Sequence, residues 1–164
     1  LTDTAWSDLD YLIIDMPPGT GDIQLSLAQT VAVRGAVIVT TPQDIALSDA
    51  RKGIEMFNKV GVPVLGVVEN MSMHTCSNCG HAEAIFGSGG GERLAQDYGV
   101  DVIGRLPLDV KIREQTDLGV PVVASSLHPQ LQEAYAELAR GVHAQALAHE
   151  ARGAAAPTIS VEDD

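Results

Sequence analysis

The chain has 164 residues, of which 45% are hydrophobic and only 4% are aromatic. A core without aromatic residues must be filled by Val, Ile, Leu and Ala, which is typical of α/β folds with buried aliphatic strands. The net charge of −12 argues against nucleic acid, because phosphate contacts need a basic face and the 10 Lys and Arg are spread along the chain. It also argues against an anionic membrane surface, and no apolar run approaches the ~20 residues that span a bilayer.

The N-terminus does not read as a signal peptide, because it lacks a basic start and an apolar core. The chain starts with Leu1 and a predicted strand begins at Tyr11, so the N-terminus is predicted to be a cut site in a longer protein. Two cysteines in a chain without a secretion signal indicate a reducing compartment, where a close pair more often binds metal or is redox-active. The cytoplasm is therefore the expected location.

Short apolar runs alternate with amphipathic segments along the chain. Strands are predicted for the apolar runs at residues 11–15, 35–40, 62–68 and, with a weaker pattern, 100–106. Helices are predicted at about residues 23–30, 46–60, 90–98 and 110–116.

The most regular helical pattern lies near the C-terminus. Pro129 is predicted in the first turn of this helix, where its missing N–H costs little. Residues 151–164 are predicted to form a disordered acidic tail. The apolar stripe of the helix consists of residues three or four positions apart, namely Leu131, Tyr135, Leu138, Val142 and Ala146.

The alternation of strands and helices predicts an α/β fold with a doubly wound, mostly parallel sheet and helices on both faces. Such sheets bind ligands at the carboxyl ends of their strands. The loops after Asp15, Thr40 and Asn70 are therefore the candidate binding loops.

An aspartate ends the first predicted strand, and a Pro/Gly-rich turn follows it. Asp15 would lie at the sheet edge, where a carboxylate can hold Mg²⁺ directly or through water. Gly19 and Gly21 allow the backbone to approach a phosphate and present N–H groups to it. The same pattern fits an ordinary strand end followed by a turn, so both interpretations stay open on these residues alone.

Two cysteines stand two residues apart in the segment His74-Thr-Cys76-Ser-Asn-Cys79-Gly-His81. Their thiolates can bind one metal ion, or one edge of a cluster, from a single tight loop. A closed zinc site or a cubane cluster needs about four protein ligands, and the sequence has no second CxxC. A second copy of the chain is the economical source of the others. A redox dithiol and a zinc knuckle completed by another segment remain alternatives.

Two further loops carry weaker signals. Asn70 follows the third predicted strand, and its amide can pair with an adenine edge or serve as a turn residue. Pro107 and Asp109 follow the fourth predicted strand, where they could shape a base pocket or cap the next helix. The segment 71–91 between these loops has little periodicity and is predicted to be a mobile loop.

The order of these motifs closely resembles the Mrp/ApbC family of iron–sulfur cluster carriers, P-loop ATPases related to the MinD/ParA group. The resemblance covers about residues 10–119 and continues more loosely through the last helix. The matching motifs are Asp15-Met-Pro-Pro-Gly-Thr-Gly-Asp22, Thr40-Thr-Pro-Gln-Asp44, Glu69-Asn-Met-Ser72, Cys76-Ser-Asn-Cys79, Phe86-Gly-Ser-Gly-Gly-Gly-Glu92 and Leu106-Pro-Leu-Asp109.

The resemblance implies a homodimer that holds a bridging 4Fe–4S cluster and passes it to apoproteins, in a cycle linked to ATP binding and slow hydrolysis. It implies that Cys76 and Cys79 bind the cluster and that Asp15 is the Mg²⁺-associated catalytic carboxylate. The implied nucleotide contacts are Pro17, Gly19 and Gly21 near the γ-phosphate and Asn70, Pro107 and Asp109 near the base.

One part of the family pattern is absent from the sequence. No segment matches Gly-x-x-x-x-Gly-Lys-[Ser/Thr], and the glycine-rich run 87–91 lacks the Lys-Ser/Thr end. Residues 1–150 are therefore expected to be the C-terminal part of a MinD/ParA-like P-loop NTPase domain, with the CxxC loop at 71–91. The whole protein is expected to bind Mg·ATP, whereas this chain alone is expected neither to bind ATP nor to be active.

Two rival functions remain. A MinD/ParA-type positioning ATPase would share Asp15 and Asn70 but would have no use for the CxxC pair, and the last helix is not of the membrane-binding amphipathic kind. A zinc-stabilised interaction domain would need the cysteines but no nucleotide. Iron with sulfide, zinc or neither in the anaerobically purified protein would separate these possibilities.

Overall fold

The computed structural model describes residues 4–16, 21–125 and 128–153. Pro17 and Gly19, both implied nucleotide contacts, lie outside the described residues. The elements within these ranges are, in chain order, α1 (Gly21–Thr30), β1 (Ala36–Thr40), α2 (Asp44–Lys59), β2 (Val64–Glu69), β3 (His74–Thr75), β4 (Ala82–Glu83), α3 (Gly90–Tyr98), β5 (Val102–Arg105), α4 (Val110–Asp117), a 3-10 helix (Val122–Ala124) and α5 (Pro129–Gly153).

The main sheet consists, in the described part of the chain, of three parallel strands with β2 between β1 and β5. Val67 of β2 lies opposite Ile38 of β1 on one side and Val102 of β5 on the other. These β-branched residues pack well on a pleated surface, and the helices between the strands provide the crossovers that parallel pairing requires. The predicted mostly parallel α/β sheet is confirmed.

Helices cover both faces of the sheet. On one face, α2 and α3 pack against β1 and β2, and on the other α5 packs against β5 and β2. The approach of α5 is close, because a Cβ added at Gly104 would lie 2.8 Å from Leu138 Cδ1. The middle strand β2 is consequently buried along its whole length. The core beneath α2 and α3 includes Ile38, Leu47, Ile54, Val67 and Leu94.

The first predicted strand does not form. Residues 11–15 adopt no strand conformation and are exposed, Ile13 to 80%. An apolar strand needs neighbouring strands for its backbone N–H and C=O groups and helices for its side chains. No described residue provides such a ladder for residues 11–15, so the predicted strand that ends at Asp15 is wrong for this chain.

Two boundaries also differ from the prediction. The segment predicted as a mobile loop, 71–91, contains an antiparallel pair in which His74 lies opposite Glu83 and Thr75 opposite Ala82. Helix α5 begins at Pro129 as predicted but runs to Gly153, past the predicted start of the acidic tail at residue 151, and residues 154–164 lie outside the described ranges. Among the helices described, none is both long and apolar enough to cross a membrane.

Candidate functional site

The carboxyl edge of the sheet brings the ends of its strands side by side. Thr40, Glu69 and Arg105 end β1, β2 and β5 opposite one another. The backbone N–H of Asn70 donates to Thr40 O at 2.7 Å, and the N–H of Leu106 donates to Glu69 O at 3.0 Å. The loops that follow these strands therefore start at one edge, where parallel α/β sheets bind ligands.

Beyond this edge, residues 71–74 run alongside residues 106–108, and we name the paired segments the edge ladder. Ser72 forms its inner half. The backbone N–H of Ser72 donates to Leu106 O at 3.0 Å, and its hydroxyl donates to the same oxygen at 3.1 Å. The edge ladder thus continues the parallel pairing of β2 with β5 past the end of the sheet.

Leu108 holds the outer half of the edge ladder. Its N–H donates to Met73 O at 2.9 Å, and His74 forms a parallel bridge with it. His74 Nδ1 lies 3.0 Å from Leu108 O. Because a carbonyl oxygen only accepts, Nδ1 must carry the proton of this hydrogen bond. The half-buried His74 is also the first residue of β3, so the ladder leads directly into the cysteine hairpin.

The structure brings the implied base contacts close to the edge ladder. Asn70 is half-buried, and its side-chain oxygen accepts the Met71 N–H at 2.9 Å. Pro107 lies within the ladder itself. The Asp109 carboxylate accepts the Lys111 N–H at 2.8 Å as the N-cap of α4, the alternative role that the sequence had left open.

The implied phosphate contacts are not assembled in the same way. Asp15 is exposed, and no hydrogen bond or ion pair among the described residues joins it to Asn70 or Asp109. Gly21 is the first residue of α1, while Pro17 and Gly19 are outside the described ranges.

The two cysteines lie in the tight turn between β3 and β4. The N–H of Cys76 donates to His81 O at 2.8 Å, and the N–H of Gly80 donates to Cys76 O at 2.9 Å. Gly80 has a φ of 73°, a left-handed conformation that glycine adopts without steric cost. We refer to residues 74–83 as the CxxC hairpin. The turn presents Cys79 exposed and Cys76 half-buried, and both thiols are free.

The hairpin stabilises the thiolate form of Cys76. Hydrogen bonds from the backbone N–H groups of Cys79 and Asn78 are the largest causes that lower the pKa of the Cys76 thiol. The Cys79 side chain and nearby His74 lower that pKa further, while desolvation opposes them. Since the thiolate is the form that binds metal, the turn prepares Cys76 as a ligand before any metal arrives.

The hairpin does not provide a complete metal site. No group of three or more His, Cys, Asp and Glu side chains is positioned to hold a metal ion within the part of the chain that the structure describes. His74 and His81 therefore do not close a site around the two thiols. The remaining ligands for an ion or a cluster must come from residues beyond this set.

Glu69 is a buried carboxylate whose role the sequence did not reveal. It is only 3% exposed, and its Oε2 accepts the Gly91 N–H at 2.7 Å. Gly91 lies in the first turn of α3, whose N–H groups and dipole favour a negative charge. A Cβ on Gly91 would lie 2.9 Å from Glu69 Oε2, and one on Gly90 would lie 2.8 Å from Pro42 O. The end of the glycine-rich run thus binds a carboxylate of the protein itself.

Two sequence signals could have indicated this contact. An acidic residue ends the otherwise apolar strand β2, and consecutive glycines open α3. A buried carboxylate needs donors, and glycines allow a backbone to approach it closely. Ser72 and His74 were missed for another reason, since their partner oxygens lie on residues 34 positions away in the sequence.

Comparison with known proteins identifies related sequences. A family model described as the NUBPL iron-transfer P-loop NTPase, under the name ParA, matches residues 1–143. An iron-sulfur cluster carrier protein of Pseudomonas fragi is 66% identical over 139 residues, covering 85% of this chain and 48% of the relative. An iron-sulfur cluster transfer protein NUBPL of Mus musculus is 54% identical over 142 residues, covering 87% and 44%. The chain thus spans less than half the length of these curated relatives.

Solved structures show the same fold. A nucleotide-binding protein of Archaeoglobus fulgidus, in complex with ADP and with cobalt, superposes with a TM-score of 0.62 at 43% identity, over 70% of this chain and 47% of that one. The cell division ATPase MinD of Pyrococcus furiosus superposes with a TM-score of 0.54 at 24% identity, over 68% and 43%, which shows the fold alone. These matches confirm the P-loop NTPase-like fold class that the motif order predicted.

Proposed function

The chain belongs to the NUBPL iron-transfer P-loop NTPase family, and from this premise we propose that the whole protein is an ATP-dependent carrier of iron–sulfur clusters. The relatives described above are named iron-sulfur cluster carrier and transfer proteins. The observation that carries the proposal is the CxxC hairpin. It holds two free thiols in one turn and lowers the pKa of Cys76, as a site for a thiolate-bound iron cluster requires.

In this proposal, the cluster lies between two copies of the protein. A 4Fe–4S cluster takes about four cysteine ligands, whereas each chain supplies Cys76 and Cys79. A two-fold axis between two hairpins would provide four equivalent thiolates. The exposure of Cys79 allows such an approach. The cluster is cargo, and its recipients are iron–sulfur apoproteins that reach the same exposed turn.

The nucleotide in this proposal is Mg·ATP, bound at the carboxyl edge of the sheet. Asp15 is the Mg²⁺-associated carboxylate that supports slow hydrolysis. Residues 17–21 are the switch-like segment that contacts the γ-phosphate. The NH2 group of Asn70 donates to the base, beside Pro107 and Asp109. The main phosphate-binding loop comes from a part of the whole protein that precedes these residues, so this chain alone binds ATP weakly and is inactive. Two free thiols suit the reducing cytoplasm.

One experiment tests both halves of the proposal in the whole protein, reconstituted anaerobically with iron and sulfide. Cys76→Ser and Cys79→Ser are each expected to lose most of the bound iron and sulfide, because a hydroxyl is a poor ligand for iron in a cluster. Both variants should still bind Mg·ATP. Asp15→Asn is expected to keep the cluster but to lower ATP turnover about tenfold or more, which corresponds to ~1.4 kcal/mol of transition-state stabilisation.

Ser77→Ala is the matched control, because it changes an exposed residue between the two cysteines and leaves both thiols in place. It should retain iron, sulfide and turnover. Full iron and sulfide in Cys76→Ser, or a strictly monomeric cluster-loaded protein by light scattering, would contradict the bridging cluster. Zinc without sulfide would favour a zinc-stabilised interaction domain. Unchanged turnover in Asp15→Asn would remove this carboxylate from hydrolysis.

A further inference from the structure

The edge ladder is a short covalent and hydrogen-bonded route between the base side of the proposed nucleotide site and the thiols. Asn70 and Cys76 are six positions apart in the sequence. Between them, the backbone N–H of Ser72 and the carbonyl of Met73 pair with residues 106–108. A shift of either loop at the carboxyl edge must therefore either move the start of the CxxC hairpin or break these hydrogen bonds.

His74 makes the last contact of this route. Its Nδ1–H donates to Leu108 O at 3.0 Å, and its backbone lies opposite Glu83 of β4. The side chain therefore fastens the hairpin to the segment that contains Pro107, while the main chain is part of the hairpin itself. Two residues further along the chain, Cys76 donates its N–H to His81 O and closes the turn.

The other arm of the hairpin returns to the same edge. After β4 the chain enters the glycine-rich run 87–91, and the N–H of Gly91 donates to Glu69 Oε2 at 2.7 Å. Glu69 immediately precedes Asn70 in the sequence. The first arm of the hairpin is thus held on Leu108 by His74, and the chain after the second arm is held on Glu69, next to Asn70, by Gly91.

We propose that His74 is a positioning residue that transmits nucleotide occupancy at the carboxyl edge to the geometry of the Cys76–Cys79 turn. It acts through its hydrogen bond to Leu108 and is not itself a cluster ligand. Nucleotide binding alters the spacing of the loops at Asn70 and Pro107, and the ladder carries this change to the thiols. By linkage, cluster binding changes the nucleotide affinity by the same factor. This inference rests on the proposed function, since it needs both ligands.

The test uses the whole protein and two substitutions that differ in one hydrogen bond. His74→Leu removes the donor, whereas His74→Asn places an amide N–H near the position of Nδ1. The nucleotide Kd is measured by calorimetry, with a non-hydrolysable ATP analogue, in the cluster-free and cluster-loaded forms. We expect the two values to differ about fivefold or more in the original protein and in His74→Asn. In His74→Leu the ratio should fall toward one.

Hydrogen exchange gives a second measurement that needs no cluster. In the cluster-free protein, the analogue should change the exchange rates of the Cys76 and Gly80 amides, whose N–H groups close the hairpin turn. His74→Asn should retain this response and His74→Leu should lose it. His81→Leu is the control, because it removes an exposed imidazole from the same hairpin without changing the edge ladder.

The outcomes separate the two proposals. The inference is overturned if the unsubstituted protein binds the analogue, yet the exchange of its Cys76 and Gly80 amides does not change and its nucleotide Kd is the same with and without the cluster. The same holds if His74→Leu responds as the original protein does, or if His81→Leu loses the response as well. If the original protein binds neither the analogue nor a cluster, the carrier function itself has failed.

Discussion

The CxxC hairpin and the N-terminal run, residues 11–15, carry equally recognisable motifs but differ in how they are held. The hairpin has backbone hydrogen bonds within its turn and is joined at its first residue to Leu108. The N-terminal run has the stronger strand pattern, yet it forms no strand, and Ile13 is 80% exposed. The hairpin is thus held by backbone hydrogen bonds, whereas the strongly apolar N-terminal run has no backbone ladder to a described residue and contacts the fold through Tyr11, whose ring and hydroxyl meet His143 of α5.

The difference lies in where each segment finds its partners. A tight turn satisfies its N–H and C=O groups within a few residues, so the hairpin closes with groups that the local chain provides. An apolar strand has no partner within itself and depends on neighbouring strands and on helices above and below it. The hairpin is therefore largely a local structure, and the N-terminal run depends on long-range contacts.

Alanine substitutions at Ile54 and Ile13 test this contrast with the largest expected effects. Ile54 of α2 is fully buried at 0% exposure, and Ile13 is 80% exposed. In this chain, Ile54→Ala should lower the free energy of unfolding by ~2–5 kcal/mol, because it leaves a cavity in the core. Ile13→Ala should change it by less than ~0.5 kcal/mol. Urea unfolding followed by circular dichroism measures both.

The same two substitutions, measured in the longer protein, test whether the N-terminal run is buried there. If the N-terminal run becomes a buried strand there, Ile13→Ala should cost ~2 kcal/mol or more, as a large-to-small core substitution does. Ile54→Ala serves as the reference, since its surroundings already exist in this chain. An equally small effect of Ile13→Ala in both proteins would show that the run is not a strand in either.

The sequence predicted those features that depend on local pattern or on the order of motifs. The strands β1 and β2 followed from short continuous runs rich in β-branched residues, and α5 followed from an apolar stripe at three- and four-residue steps. The family followed from the order of the motifs from Asp15 to Asp109. The contact between Glu69 and Gly91 was missed, because its two signals, the acidic end of β2 and the glycines that open α3, lie 22 positions apart and point to a contact only when they are considered together.

The Glu69 contact gives the next prediction. Glu69→Leu leaves the buried Gly91 N–H without its acceptor and should lower the free energy of unfolding by ~1–3 kcal/mol. Glu69→Gln retains an oxygen at the same position and should cost clearly less. Urea unfolding gives the stabilities, and hydrogen exchange of the Gly91 amide reports whether the contact persists.

A specific pattern would contradict this role of Glu69. If both substitutions were equally destabilising while the Gly91 amide stayed protected, the hydrogen bond would contribute little, and burial of the side chain would explain the loss. If neither destabilised the chain, the first turn of α3 would not depend on the carboxylate. Either result would weaken the view that the second arm of the hairpin is fixed at the sheet edge.

The smallest expected effect concerns the thiol of Cys76. The N–H groups of Cys79 and then Asn78 lower its pKa in the folded chain, so its thiolate persists to lower pH than in the unfolded chain. Iodoacetamide alkylation of Cys76, followed by mass spectrometry, should therefore rise at a lower pH in the folded chain than in the same chain in urea. Because folding lowers the pKa of Cys76, its thiolate adds to the free energy of unfolding. This contribution is present above the unfolded pKa and is lost as pH falls through the folded pKa. Identical alkylation profiles in the folded and urea-unfolded chains would show that the hairpin does not prepare the thiolate, and the metal would then have to order the turn itself.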